Sequence, residues 1–137
     1  MKKLQLPIPA TPAAKPLCWI ASSREDICEL PEDVRRIFGF ALRTAQRGGR
    51  HEDAKPLKGF GGAGVLEIVS NHDGDRFRAV YTVRLAGRVY VLDVFKKKSK
   101  KGIATPKADI LRIKVRLKKA EQEHKNWLEE NEKDQQP

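Results

Sequence analysis

Apolar positions along the chain alternate between a period of two and a period near 3.6, so both strands and helices are written into it. Leu17 to Ala21 is a short apolar run closed by Ser22 and Ser23, which predicts a first strand followed by a short helix to about Leu30. Pro31 suits the first turn of a second helix, and Glu32 and Asp33 complement the positive end of its dipole. Val34, Ile37, Phe38, Ala41, Leu42 and Ala45 keep helical spacing, and Gly48 with Gly49 ends the pattern.

Three strand patterns follow, at Val65–Ser70, Arg76–Arg84 and Arg88–Phe95. Asp73–Gly74 and Leu85–Gly87 are tight connections, so these three predict an antiparallel meander. In the middle strand Phe77, Ala79, Tyr81 and Val83 share one face, while Arg76, Arg78, Val80 and Thr82 share the other. If the two N-terminal helices cover the first face, the Arg78 face is left to line a solvent-facing cleft. The third strand is almost wholly apolar, which predicts burial on both faces and a rigid exit for Lys96, Lys97, Lys98, Lys100 and Lys101. Thr105–Pro106 opens a long helix to about Glu130, with a narrow seam of Ile110, Ile113, Leu117, Ala120, His124 and Trp127 between basic faces.

The expected class is α+β: an antiparallel sheet packed by two N-terminal helices, with a long basic C-terminal helix. At 137 residues the chain has the length of one domain, expected over 17–130. The proline-rich stretch 1–16 reads as a flexible extension and 131–137 as a disordered tail. Four prolines interrupt any secretory apolar region near the N-terminus, and no run reaches membrane-span length, so the expected location is the cytoplasm.

Charge changes this picture most. A formal net charge of +10 favours a polyanionic partner, nucleic acid first and an anionic membrane surface a weaker second. Cys18 and Cys28 have neither redox nor metal spacing and read as reduced, packed thiols. His51, His72 and His124 have no ligand spacing, so neither a metal nor a cofactor is expected. The KGFGGAG segment, Lys58–Gly64, lacks the Lys-Ser/Thr ending of a phosphate loop and reads as a flexible loop.

The lysine run also fits an ordinary solvated turn. Its attachment to a rigid strand favours a fixed anion site instead, to which Arg78 adds a guanidinium that holds phosphate bidentately. Crowded cations lower one another's pKa, so one lysine becomes able to carry a proton near neutrality. RNA supplies its own nucleophile in the 2′-hydroxyl, and a protein then needs a base, an acid and cationic stabilisation but no metal.

The segments FRAVY at Phe77–Tyr81 and VLDVFKKKSKKGIATPKADI at Val91–Ile110, in the order strand, two helices, meander, resemble the RelE/HigB toxins of bacterial toxin–antitoxin pairs. The likeness is closest to their phage-derived HigB-like branch and spans about Leu17 to Ala120. It implies a microbial-ribonuclease-like fold and a type II toxin that cuts mRNA, usually on the ribosome. Arg78 matches the family's phosphate-contacting arginine and Lys97 its second catalytic cation. Lys96, Lys98, Lys100 and Lys101 would assist in RNA binding, with Lys55 and Lys58 as further cations and Tyr81 and Phe95 in support. The implied partners are mRNA, the ribosome and a cognate antitoxin, often a helix-turn-helix protein that alone contacts operator DNA. Glu67 and Val69 depart from the family's basic residues in the preceding strand, so cations must come from elsewhere. The segment after the last strand offers only lysines where some relatives carry an aromatic or histidine acid/base, which leaves the general base open. The alternatives are a ParE-like gyrase inhibitor and a nucleic-acid-binding protein without catalysis.

Overall fold

A computed structural model describes residues 14–61, 64–97 and 105–134, with side chains to Glu132. Strand β1 is Leu17–Trp19, helix α1 Ser23–Cys28, helix α2 Glu32–Gln46, and strand β2 Lys55–Pro56. Strands β3 (Val65–His72), β4 (Asp75–Thr82) and β5 (Val89–Lys97) form the meander, and α3 runs from Lys107 to Asp134. The sheet order is β1-β5-β4-β3-β2. The class is α+β as expected, but the sheet is mixed rather than antiparallel, because β1 runs parallel to β5. The chain returns to β1 only after both helices and three further strands have intervened, a long crossover that permits the parallel pairing.

Both sheet faces are covered. On one, Val34, Phe38, Ala41, Leu42 and Ala45 of α2 pack against Ile68, Phe77, Ala79, Tyr81, Val91 and Val94. On the other, Ile113, Leu117 and Ala120 of α3 pack against Val65, Val80, Tyr90 and Leu92. Ile37, expected in the α2 stripe, is 40% exposed, since that helix meets the sheet along a narrower face. Central β5 is buried on both faces through Val94, as its apolar run predicts.

The second face overturns the expected open cleft. Helix α3 lies over the sheet there, and Arg78 is only 1% exposed. A bulge in β5 decides which residues share that face. Val80 pairs with Asp93 but Tyr81 with Val91, so Leu92 is an extra residue and the alternation of β5 reverses beyond it. Val89 and Val91 therefore face α2 together with Val94, while Asp93, Phe95 and Lys97 turn to the face of Arg76 and Arg78.

The helix ends differ in detail from expectation. Pro31 is the N-cap of α2, one residue before its first turn. Ser22 is the N-cap of α1, but its hydroxyl donates to Asp26 at 2.8 Å rather than to the backbone, and Ser23 donates to the Val91 carbonyl. At the chain's start, the Lys15 amide donates to the Gln46 carbonyl and the Val89 amide to that of Pro16, so the expected extension is tied down by residue 15. Helix α3 continues to Asp134, past the expected boundary at 130. Cys28 is exposed and Cys18 half-buried, so only the latter is a partly packed thiol.

Candidate active site

The cationic residues converge where β4 and β5 run side by side toward the end of the sheet. Register places Arg76 opposite Lys97 and Arg78 opposite Phe95, and paired residues project to the same face. Glu67, opposite Val80 on β3, projects to that face too and accepts a hydrogen bond from Arg78 Nη1 at 2.5 Å. Thr105 Oγ1 donates to the same carboxylate at 3.4 Å, so the residue expected to cap α3 reaches back to the sheet. The acidic residue that looked like a departure in β3 is thus the partner of the site's arginine.

Lys97 is buried, at 4% exposure. Loss of hydration holds its pKa below the ordinary lysine value, the positive charges of Arg78 and Arg76 lower it further, and Glu67 opposes them. Lys96 points to the α2 side of the strand, half exposed, and pairs with Asp75 at 3.2 Å. Lys98, Lys100 and Lys101 lie outside the described residues.

Lys55 is exposed on the edge strand directly opposite Glu67, whereas Lys58 is exposed in the following turn, away from that pairing. Tyr81 does not belong with Arg78. It projects to the α2 face, fully buried, where desolvation raises the pKa of its hydroxyl. Phe95 is half-buried beside the cationic group, with the Arg112 guanidinium 5.2 Å from its ring centroid.

Sequence reasoning missed a second charged cluster. Asp93 is buried and accepts from Arg112 Nε at 2.7 Å and from Arg116 Nη1 at 2.8 Å. Arg112 also pairs with Asp109 at 2.8 Å, and Arg116 donates to the Leu92 carbonyl. Desolvation raises the Asp93 pKa against the pull of the two arginines. The signal was an aspartate inside an otherwise apolar strand, since a buried carboxylate requires a cationic partner. Among the described residues no group of His, Cys, Asp and Glu side chains has the arrangement of a metal site.

The sequence from residue 25 to 118 matches the family model described as phage derived protein Gp49-like (DUF891). The chain belongs to the Gp49-like family. This is a RelE/toxin-like family, in keeping with the resemblance read from Phe77–Tyr81 and Val91–Ile110. A comparison with curated proteins gave no match. Among solved structures the chain is similar to the free state of an E. coli toxin RelE carrying two arginine-to-alanine substitutions, at 23% identity and a TM-score of 0.48, over 64% of this chain and 87% of that one. No helix among the described residues is long and apolar enough to cross a membrane.

Proposed function

We propose that this Gp49-like protein is the toxin of a type II toxin–antitoxin pair, in the HigB-like branch, and acts as a metal-independent mRNA endonuclease in the cytoplasm. The observation that carries the reading is the buried Lys97 beside two arginines and a carboxylate on one face of the sheet. RNA cleavage by the 2′-hydroxyl forms a bond to the adjacent phosphorus and breaks the bond to the 5′-oxygen. It needs a group to take the hydroxyl proton, a group to protonate the leaving oxygen, and positive charge for the phosphorane.

Glu67 fills the role of base, Lys97 that of acid, and Arg78 with Arg76 supplies the charge. A lysine whose pKa lies below the ordinary range gives up its proton more readily at neutral pH. Arg78 and Lys97 are buried, so RNA reaches them through a local opening at this end of the sheet, where phosphate competes with Glu67 for the guanidinium. The substrate is mRNA on the ribosome, and a co-encoded antitoxin of the helix-turn-helix kind restrains the protein.

The test is induction in cells with 5′-end mapping of mRNA. Combined Arg78→Ala and Lys97→Ala should abolish cleavage and growth arrest, by about 100-fold or more in cleavage rate. Removing Arg78 alone strands a largely buried carboxylate, so a companion variant with Glu67→Gln and Arg78→Gln keeps the fold while removing both charges. Undiminished toxicity in that folded companion sinks the site. Failure of DNA supercoiling before translation would favour gyrase inhibition instead.

A further inference from the structure

Beside the cationic group lies a groove of about 670 Å³ whose chemistry is of another kind. Strand β1 pairs with β5 only through Val91, so among the described residues the β5 edge beyond it has no strand partner and lies between α1 and the start of α3. Asp26, Glu29 and Leu30 border the groove on the α1 side, and Phe95, Pro106 and Arg112 on the other.

Arg112 is the decisive residue. Asp93 takes its Nε and Nη2, and Asp109 takes its Nη1, so both edges of the guanidinium plane are engaged by carboxylates. Such an arginine has little left to offer a phosphate in its plane. What it presents is its flat surface, already stacked over the Phe95 ring. Across the groove the Glu29 amide donates to the Asp26 carbonyl, but its carboxylate makes no hydrogen bond or ion pair among the described residues, and the Asp26 carboxylate is engaged by the Ser22 hydroxyl. Four carboxylates, Asp26, Glu29, Asp93 and Asp109, line the groove beside three cations, Lys96, Arg112 and Arg116. Each of these cations is already paired with a carboxylate, so the groove offers a phosphate little unengaged positive charge. It suits a neutral planar group carrying N–H donors.

From this geometry we infer that the groove binds an unpaired nucleobase with adjacent N–H donors, guanine above uracil, stacked on the Arg112–Phe95 wall and read by the Glu29 carboxylate. Unstacked bases are commonly held on guanidinium planes and recognised along their Watson–Crick edge. The placement fits the proposed cleavage reading, on which this inference rests for its role. Phe95 is opposite Arg78 in register and two residues from Lys97, about 6.6 Å along the strand. A phosphate at the cations and its neighbouring base in the groove are thus sorted by charge: the anion to Arg78 and Lys97, the neutral donor to the carboxylates. The groove then sets which nucleotide flanks the cut.

Nuclear magnetic resonance titration of the full chain with guanosine 3′-monophosphate and uridine 3′-monophosphate tests this. The guanosine compound should shift the amides of Leu30 and 94–96 and bind about tenfold more tightly than the uridine compound, the scale of one bidentate base contact. Glu29→Gln should bring the affinity ratio close to one, whereas Phe95→Leu should weaken both compounds together. Equal affinities in the native protein, or shifts confined to other residues, overturn the inference. So does a groove that answers only to an added antitoxin and to neither nucleotide. Guanosine binding at these residues in a protein that cuts no RNA upholds the groove and sinks the nuclease reading, so the two fail separately.

Discussion

The two faces of the sheet are built from similar strands and yet differ in kind. Toward α2 the contact is apolar throughout, with Phe38, Leu42, Ile68 and Ala79 packed and Tyr81 as its main polar atom. Toward α3 the middle is equally apolar, but the end near Lys97 holds two groups of ion pairs, Glu67 with Arg78 and Asp93 with Arg112 and Arg116. Burying charges in pairs contributes little net stability, while burying aliphatic and aromatic surface contributes much. Both faces therefore contribute to folding, and the α3 face adds buried charge that folding alone has no need of.

The largest stability effect should fall on the first face. Phe38→Ala, at a fully buried position, is expected to cost about 3–5 kcal/mol in a denaturant melt while leaving cleavage per folded molecule unchanged. A loss of specific activity as large as the loss of stability would erase the distinction between the faces. Asp93→Ala on the second face leaves Arg112 and Arg116 without their shared carboxylate and should cost somewhat less, about 3 kcal/mol, because Arg112 is partly exposed. Its particular mark would be a loosened start of α3 in hydrogen exchange.

A sharper separation comes from pH. The depressed pKa of Lys97 means that cleavage should decline on the alkaline side at a pH below the ordinary lysine value of 10.5, since the proton it donates is lost there. Lys97→Arg, which cannot deprotonate in that range, should remove this limb in a pH–rate profile, whatever it does to the maximum.

The smallest effects concern two histidines of opposite sign. His124, hydrogen-bonded to Tyr90 beneath α3, has a pKa lowered by burial and then by Arg88. The unfolded chain takes up its proton first, so stability should fall as pH drops below about 6.5. His72 has a pKa raised by its hydrogen bond to Asp33, so its contribution is full below the unfolded value and is lost as pH rises through the folded one. Thermal melts between pH 5 and 8, on the order of a few degrees apart, should lose the acid-side decline in His124→Gln and the other trend in Asp33→Asn.

Much of the architecture was legible in the chain. The period of Val34 to Ala45 wrote α2, the apolar run Val89 to Val94 wrote a strand buried on both sides, and the seam from Ile113 to His124 wrote the inner face of α3. These readings succeed because local periodicity selects both the element and the side that must leave water. The site was legible in part: the sequence put cations at the end of β5 beside the Arg78 strand, but the face that each residue takes, Lys97 with Arg78 and Tyr81 opposite, came from pairing register.

What the amino-acid sequence determined by itself is therefore the set of elements, their apolar faces and an excess of positive charge aimed at one end of a strand. Only the tertiary structure decided that α3 covers the Arg78 face, that Glu67 is the arginine's partner, and that a bulge at Leu92 turns Asp93, Phe95 and Lys97 to join them. The physical reason is that alternation along one strand is local, whereas pairing register and bulges depend on a neighbouring strand remote in sequence. One extra residue in β5 exchanges its faces, and with them the line between core and candidate site.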